Sequence, residues 1–217
     1  MLRGVVLDLD GTLADTAVIH SEAWKMAMRD LGIQAHINIE QLLGRRAPEI
    51  ALELAKGNTD LAQRLLERKN GYFRNLVGLA KPKACAIELL KSLKGMGVKL
   101  SVVTSSNKVS AYSVLETVNM INLVDYIITG DDVSKGKPDP EPVIKALKLM
   151  NNESSEVMGV GDTIHDYEAY LKAGLKAIVI VVNPLMIDYI TKFKEALIVN
   201  NLCVLLNVLN VVMGLNT

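Results

Sequence analysis

The chain is poor in cysteine, with two in 217 residues. Cys85 and Cys203 lie far apart and match no zinc-binding spacing. They read as small core residues and fit a reducing, cytoplasmic compartment. Net charge is also missing, because 24 lysines and arginines balance 24 aspartates and glutamates. No long basic run occurs, which argues against a nucleic-acid partner. The most apolar stretch, residues 202–215, is too short to span a membrane and is broken by Asn207 and Asn210. A terminal helix covering a sheet is expected there, with an oligomer contact as the alternative. No signal peptide is visible before Asp8. Walker A, G-x-G-x-x-G, H-E-x-x-H and G-x-S-x-G patterns are lacking. Gly159-Val160-Gly161 starts like a dinucleotide loop but puts Ile164 where a third glycine belongs, which argues against NAD.

What is present begins with Asp8-Leu9-Asp10-Gly11-Thr12. It follows Gly4-Val5-Val6-Leu7, a short, continuous, β-branched run that reads as a buried strand. Carboxylates at i and i+2 leave a strand end on the same side. Like charges at a buried strand end are costly without a cation. The pattern therefore suggests a metal, a catalytic nucleophile, or both. The bland alternative is an Asp-Gly hairpin turn, but a helical pattern follows instead of a second strand. An EF-hand loop is excluded, because Gly is fourth and Ile19 stands at the twelfth position.

Half the residues are apolar, enough for a substantial core in one or two domains. Residues 16–31 carry an apolar stripe at Ala17, Trp24, Ala27, Met28 and Leu31, with Asp15 or Thr16 as cap and Gly32 as stop. Residues 38–78 read as helical, punctuated by Gly44, Pro48 and Gly57, with no convincing strand before about Lys81. Strands are then expected at 98–103, 126–128, 157–160, 177–182 and 197–199. Helices are expected at 84–95, 109–118, 140–150 and 167–173. Such alternation implies a doubly wound, Rossmann-like parallel α/β sheet. The helical stretch 16–80 is inserted into a core made of 1–15 and 81–217.

Ligands in such sheets bind beyond the carboxyl ends of the strands. The first strand ends in Asp8, the second in Thr104-Ser105-Ser106-Asn107, and the fourth in Gly161-Asp162-Thr163 with Asp166 beyond. Lys137 lies between the third strand and its helix. Each has a bland reading: Thr-Ser-Ser-Asn and Gly-Asp-Thr could merely cap helices, and Lys137 could be a solvated loop charge. Four coincidences on one sheet edge are less probable than any one of them. Together they fit phosphoryl transfer, with Asp8, Asp10 and Asp162 as hard oxygen ligands for Mg²⁺. Thr104, Ser105 and the following backbone N–H groups, with Lys137, would hold phosphate.

This ordered set, Asp8-Leu9-Asp10-Gly11-Thr12, Thr104, Lys137 and Gly161-Asp162 with Asp166, resembles the four motifs of the haloacid dehalogenase superfamily. The resemblance implies that Asp8 is a nucleophile forming an aspartyl-phosphate and that Asp10 is the general acid, then base. It implies Mg²⁺ on Asp8, the Asp10 carbonyl and Asp162, phosphate on Lys137 and Thr104, and Asp166 holding metal waters or Lys137. Thr12 and Asp166 look like a phosphatase of the phosphoglycolate type. The helical block, with His20, Trp24, Arg68-Lys69-Asn70 and Tyr72, is similar to the cap of β-phosphoglucomutases. His20, Lys69 and Arg45 are the candidate cap contacts. Arg45 and Arg46 could reach the substrate's far end or could be solvated. His20 could equally be a hydrogen-bonded histidine inside its helix. The expected partner is a small phosphorylated metabolite, and the expected state is a monomer or small homo-oligomer. A phosphosugar mutase is the alternative activity. A non-catalytic binding protein on the same fold is disfavoured by the retention of both Asp8 and Asp10.

Overall fold

The computed structural model describes residues 1–34, 38–182 and 191–212. In chain order the strands are β1 (Gly4–Leu7), β2 (Ala14–Asp15), β3 (Lys81–Pro82), β4 (Lys99–Val103), β5 (Tyr126–Ile128), β6 (Val157–Gly161), β7 (Ala177–Val181) and β8 (Leu197–Val199). The helices are α1 (Ala17–Asp30), α2 (Ala47–Leu54), α3 (Thr59–Leu76), α4 (Ala86–Gly95), α5 (Lys108–Thr117), α6 (Glu141–Met150), α7 (Ile164–Lys172) and α8 (Leu202–Val212). Six strands form one parallel sheet in the order β5-β4-β1-β6-β7-β8. Parallel neighbours need long crossovers, and the helices supply them.

Strand periodicity divides the core in two. Val5, Leu7, Leu100, Val102, Val179 and Val181 face α4, α5 and α8, where they meet Leu89, Leu93, Val114 and Leu205. Val6, Val103, Ile178 and Ile180 face α6 and α7, where they meet Val143, Leu147 and Tyr170. Both faces are covered, which is why these strands read as unbroken apolar runs. Burying one such side chain is worth roughly 1.5–3 kcal/mol. A one-residue slip would exchange the two cores, so the register is firmly set. The position of β1, between β4 and β6, brings Asp8 to the middle of the sheet edge.

The helical insertion has its own apolar cluster, built from Trp24, Ala27 and Met28 of α1, Ile50 and Leu54 of α2, and Leu65 of α3. Ala17, expected on the buried stripe of α1, is exposed; the buried face runs through His20, Ala23, Trp24, Ala27 and Met28. The chain enters and leaves the insertion side by side. Ala14 pairs with Pro82 and Asp15 with Lys81, antiparallel. These two-residue strands are too short to be read from sequence.

The cysteines differ from expectation. Cys85, just before α4, and Cys203, on α8, are joined by a disulfide with an S–S distance of 2.05 Å. Both are half-buried and neither is a free core residue, so they give no argument for a reducing compartment. α8 packs against α4 and covers the sheet through Leu202 and Leu205. The end of the apolar run, beyond Val212, lies outside the described residues. No helix among the described residues is long and apolar enough to cross a membrane.

Candidate active site

The ends of β1 and β4 and the first turn of α7 converge on Lys137, which is 3% exposed and so not a solvated loop charge. Its ammonium donates to Asp8 Oδ1 at 2.6 Å, to Asp166 Oδ1 at 2.5 Å and to the Val103 carbonyl at 3.0 Å. Three acceptors use up the three N–H groups. Burial alone would lower the lysine's pKa, but Asp166 and Asp8 outweigh it and raise it above the ordinary value.

Asp166 has a second task. Its Oδ2 accepts from the Thr163 amide at 3.0 Å and the Thr163 hydroxyl at 2.6 Å, and Thr163 Oγ1 accepts in turn from the Asp166 amide at 3.2 Å. This reciprocal cap starts α7 at Ile164, three residues before the expected start at 167. The first turn of α7 faces the site, so the apolar pattern that begins at Tyr167 could not reveal it. Gly161 permits the contact, because a Cβ there would stand 2.5 Å from that of Asp166.

Asp10 is saturated from two directions. Its Oδ1 accepts from Thr16 Oγ1 at 2.8 Å and lies 3.1 Å from His20 Nε2. Its Oδ2 accepts from Thr104 Oγ1 at 3.0 Å and from Ser106 Oγ at 2.8 Å. Burial works to raise its pKa, but His20, Ser106 and Thr16 hold the carboxyl well below the usual range. Thr16 occupies the cap position of α1 yet spends its hydroxyl on Asp10 and not on the helix. Asn107, by contrast, does cap α5, accepting from the Ser110 amide at 2.9 Å. Ser105, expected at the phosphate, instead donates to the Gly44 carbonyl of the insertion at 2.6 Å. Thr16 and Ser106 were not foreseen as partners of Asp10. Ser106 follows Thr104 closely in the bend after β4, where its amide donates back to Thr104 Oγ1 at 3.0 Å.

Of the expected insertion contacts, two reach this region. His20 stacks on Phe73 with ring centroids 4.4 Å apart. Lys69, 2% exposed, sets its ammonium 4.8 Å from the Phe73 ring centre and 5.7 Å from that of Trp24. Burial lowers its pKa to about 8, against the pull of Asp10. Burial lowers that of His20 too, opposed by Asp10 and reinforced by Lys69. Arg45 is directed elsewhere: its guanidinium pairs with Glu53 at 2.6 Å and Glu49 at 3.9 Å, within the insertion.

The donor set tests whether a cation fits. One carboxylate oxygen from each of Asp8, Asp162 and Asp166 lies within 4.8 Å of the others. Burial raises Asp8 well above the usual carboxylate range; Lys137 opposes this, and the charges of Asp166, Asp162 and Asp10 add to it. Burial and Asp166 raise Asp162 to about 7, against the Thr12 hydroxyl, which donates to Asp162 Oδ1 at 3.0 Å. Carboxylates so close and so dry cannot all ionise unless a cation compensates them. Hard oxygens of this kind suit Mg²⁺. Asp166 is committed to Lys137 and Thr163, which leaves Asp8 and Asp162 as the side-chain ligands a metal would use. The Asp10 carboxylate is taken up by its four partners, so a contribution from Asp10 would come through its main-chain carbonyl. Gly11, at φ +101°, makes room, since a Cβ there would collide with Asp162 Oδ2.

The chain is similar to other proteins over most of its length. The model of the haloacid dehalogenase-like hydrolases matches residues 5–180. A phosphoglycolate phosphatase of Aquifex aeolicus is 30% identical over 177 residues, 81% of this chain and 83% of that one. A validoxylamine A 7'-phosphate phosphatase of Streptomyces hygroscopicus is 32% identical over 181 residues, 81% and 84% of the two chains. In fold, the chain is similar to a β-phosphoglucomutase of Clostridium difficile, with a TM-score of 0.79, 24% identity and coverage of 92% and 91%. The chain therefore belongs to the haloacid dehalogenase-like hydrolases.

Proposed function

We propose that this protein is a Mg²⁺-dependent phosphatase that hydrolyses a small phosphomonoester through an aspartyl-phosphate on Asp8. The observation that carries the reading is the Asp8 carboxylate, held by Lys137 at 2.6 Å beside Asp162, with Asp10 two residues further on. Residues 16–80 would form the cap over this site.

In the first step an Asp8 carboxylate oxygen attacks phosphorus as the bond to the leaving oxygen breaks. Asp10 gives that oxygen its proton. In the second step water attacks the same phosphorus, Asp10 takes the water's proton, and the bond to Asp8 breaks. Phosphate leaves with both aspartates restored. A carboxylate nucleophile thus divides one hard displacement into two easier ones. Lys137 and a Mg²⁺ on Asp8 and Asp162 would offset the repulsion between Asp8 and an anionic phosphoryl group. With its present partners Asp10 is held ionised, the form that accepts a proton from water. Substrate that displaces the Thr104 or Ser106 hydroxyl raises its pKa, as donation to the leaving group requires. Those freed hydroxyls are then available to the phosphate.

Phosphate release from an aryl phosphate, measured before and after metal stripping with EDTA, tests the reading. Activity should disappear and return with added Mg²⁺; full activity after stringent stripping would sink the metal assignment. The placement of His20 against Asp10, with Lys69 behind it, supports a second reading as a phosphosugar mutase. Faster interconversion of glucose 1- and 6-phosphates than phosphate release would select it.

A further inference from the structure

Gly159-Val160-Gly161 begins like a dinucleotide loop, yet both of its glycines serve a helix. Residues two apart on a strand share a face at a spacing of about 6.6 Å, and residues four apart on a helix share one at about 6 Å. The two spacings match, so α7 sits on β6 at two points. A Cβ on Gly161 would stand 2.5 Å from that of Asp166, and a Cβ on Gly159 would stand 2.6 Å from the Tyr170 ring. Asp166 holds Lys137. Tyr170, fully buried one turn further along α7, reaches the same strand end from beneath.

The Tyr170 hydroxyl donates to the Val160 carbonyl at 2.9 Å. The Asp8 amide donates to the same oxygen, also at 2.9 Å. One carbonyl thus ties α7 to the backbone of the residue that carries the attacking carboxylate. It belongs to the peptide that joins Val160 to Gly161, and Asp162 comes next. Glycine on either side of Val160 leaves this stretch with much backbone freedom. The sheet bond to Asp8 uses one lone pair of the carbonyl, and the hydroxyl takes the other. Burial first, and then the charges of Asp166, Asp8 and Asp162, push the Tyr170 pKa well up, so the hydroxyl keeps its proton and stays a donor. A phenylalanine would fill the same space on Gly159. Core packing therefore asks for the ring alone, and the hydroxyl answers to the strand end.

We propose that Tyr170 is a positioning residue: its hydroxyl, acting through the Val160 carbonyl, sets the carboxylates of Asp8 and Asp162 for a metal and for attack. The inference rests on the phosphatase reading of Asp8. Asp8 and Asp162 are the two side chains a Mg²⁺ would use. The Val160 carbonyl holds the first through its amide and the second through Gly161. A displacement on the order of 1 Å can cost about a hundredfold in rate, so a slight loosening of this carbonyl has a measurable effect.

Tyr170→Phe tests the role. It keeps the ring on Gly159 and leaves no buried acceptor empty, because the Asp8 amide still serves Val160, so the variant folds. Without substrate, the rise of the thermal midpoint with added Mg²⁺ gives a half-saturating concentration, which should increase roughly threefold or more. With an aryl phosphate at saturating Mg²⁺, kcat should fall roughly fivefold or more. KM should change little, since Lys137 and Thr104 would hold the phosphoryl group and Tyr170 touches neither. Met150→Val is the control. Met150 lies in the same apolar core but beside Gly4, at the opposite end of β1 from Asp8. Its truncation should lower the midpoint and leave kcat and the half-saturating Mg²⁺ at the parent's values. If Tyr170→Phe keeps both parent values, or moves them no further than Met150→Val does, the hydroxyl is merely structural and the inference is overturned. A parent that releases no phosphate but still gains stability from Mg²⁺ would overturn the phosphatase reading, and the half-saturation of Tyr170→Phe would then decide the positioning role alone. A parent midpoint indifferent to Mg²⁺ would overturn the metal assignment and this inference with it.

Discussion

Lys69 is the residue whose placement demands most explanation. It is buried, paired with no carboxylate, and set against two aromatic rings. Its pKa lies at about 8, below the ordinary 10.5. That gap corresponds to roughly 3 kcal/mol. The sign follows from proton counting. Between about 8 and 10.5 the unfolded chain binds more protons at Lys69 than the folded one, so stability contributed by this residue rises with pH there. Below that window the full cost of a buried charge is present. Lys69→Met should therefore be more stable than the parent at pH 7, and the difference should shrink as pH rises through the window. Chemical unfolding at several pH values measures this, and a constant difference would contradict it. The same variant should be less active if Lys69 touches substrate, a trade of stability for function. Asp8→Asn should abolish turnover with the fold kept, because an amide cannot serve as the attacking carboxylate. Asp10→Asn should fall by on the order of a hundredfold or more through lost proton transfer. Near-normal release by Asp8→Asn free of deamidation would refute covalent chemistry at that residue.

Single polar groups in this site also serve the elements that carry them. Thr163 and Asp166 begin α7 and hold Lys137; Thr16 stands at the start of α1 and bonds Asp10. In the sequence these residues look like caps, and some of them are caps, so the choice between cap and site was a false one. The strands were legible because β-branched apolar runs such as Val5-Val6-Leu7 and Ile178-Val179-Ile180 admit little else when both faces are buried. The start of α7 was not, because its first turn is polar for the site's sake. Nor could spacing show that Arg45 turns to Glu53 while Arg46 turns to Ser134, since the loop that carries Ser134 is 88 residues away in sequence. At this scale Asp166→Ala should have two effects. It leaves a buried lysine with one carboxylate instead of two, a change that costs about 3–5 kcal/mol when a buried pair is broken. It also removes one half of the α7 capping box, the acceptor for the Thr163 amide and hydroxyl, while Thr163 keeps its own bond to the residue-166 amide. Asp166→Asn keeps a single acceptor oxygen, which can face Thr163 or Lys137 but not both, and it loses the charge. Both variants lose the charge, so both unfolding midpoints should fall below the parent's by more than the loss of a helix cap, about 1 kcal/mol, explains; a fall in Asp166→Asn no larger than that would reject the ion-pair account.

Across the whole molecule, two constraints tie distant parts of the chain together. One is the carboxylate cluster, which joins the ends of β1 and β6 and is unfavourable while uncompensated. A cation that binds only the folded state stabilises it by mass action, about 2.7 kcal/mol at a hundred times Kd. Millimolar Mg²⁺ should therefore raise the thermal midpoint, and Asp162→Asn should remove most of that rise; an unchanged midpoint in the parent protein would count against the site. The other constraint is the disulfide, which joins residues 118 apart in sequence. Its pairing was not legible, because nothing near Cys85 or Cys203 signals that α8 packs on α4. Closing so long a loop restricts the unfolded chain, and bonds of this kind contribute about 2–5 kcal/mol. Cys203→Ser should lose stability on that scale, and reduction of the parent protein should do the same while leaving Cys203→Ser unchanged. Phosphate release per folded molecule should stay near the parent value, since the bond lies between α4 and α8 and the chemistry lies at the strand ends. Urea unfolding of both proteins, with and without reductant, separates the effects. If reduction leaves the parent midpoint where it was, the bond contributes nothing, and the packing of Leu202 and Leu205 alone holds α8 to the sheet.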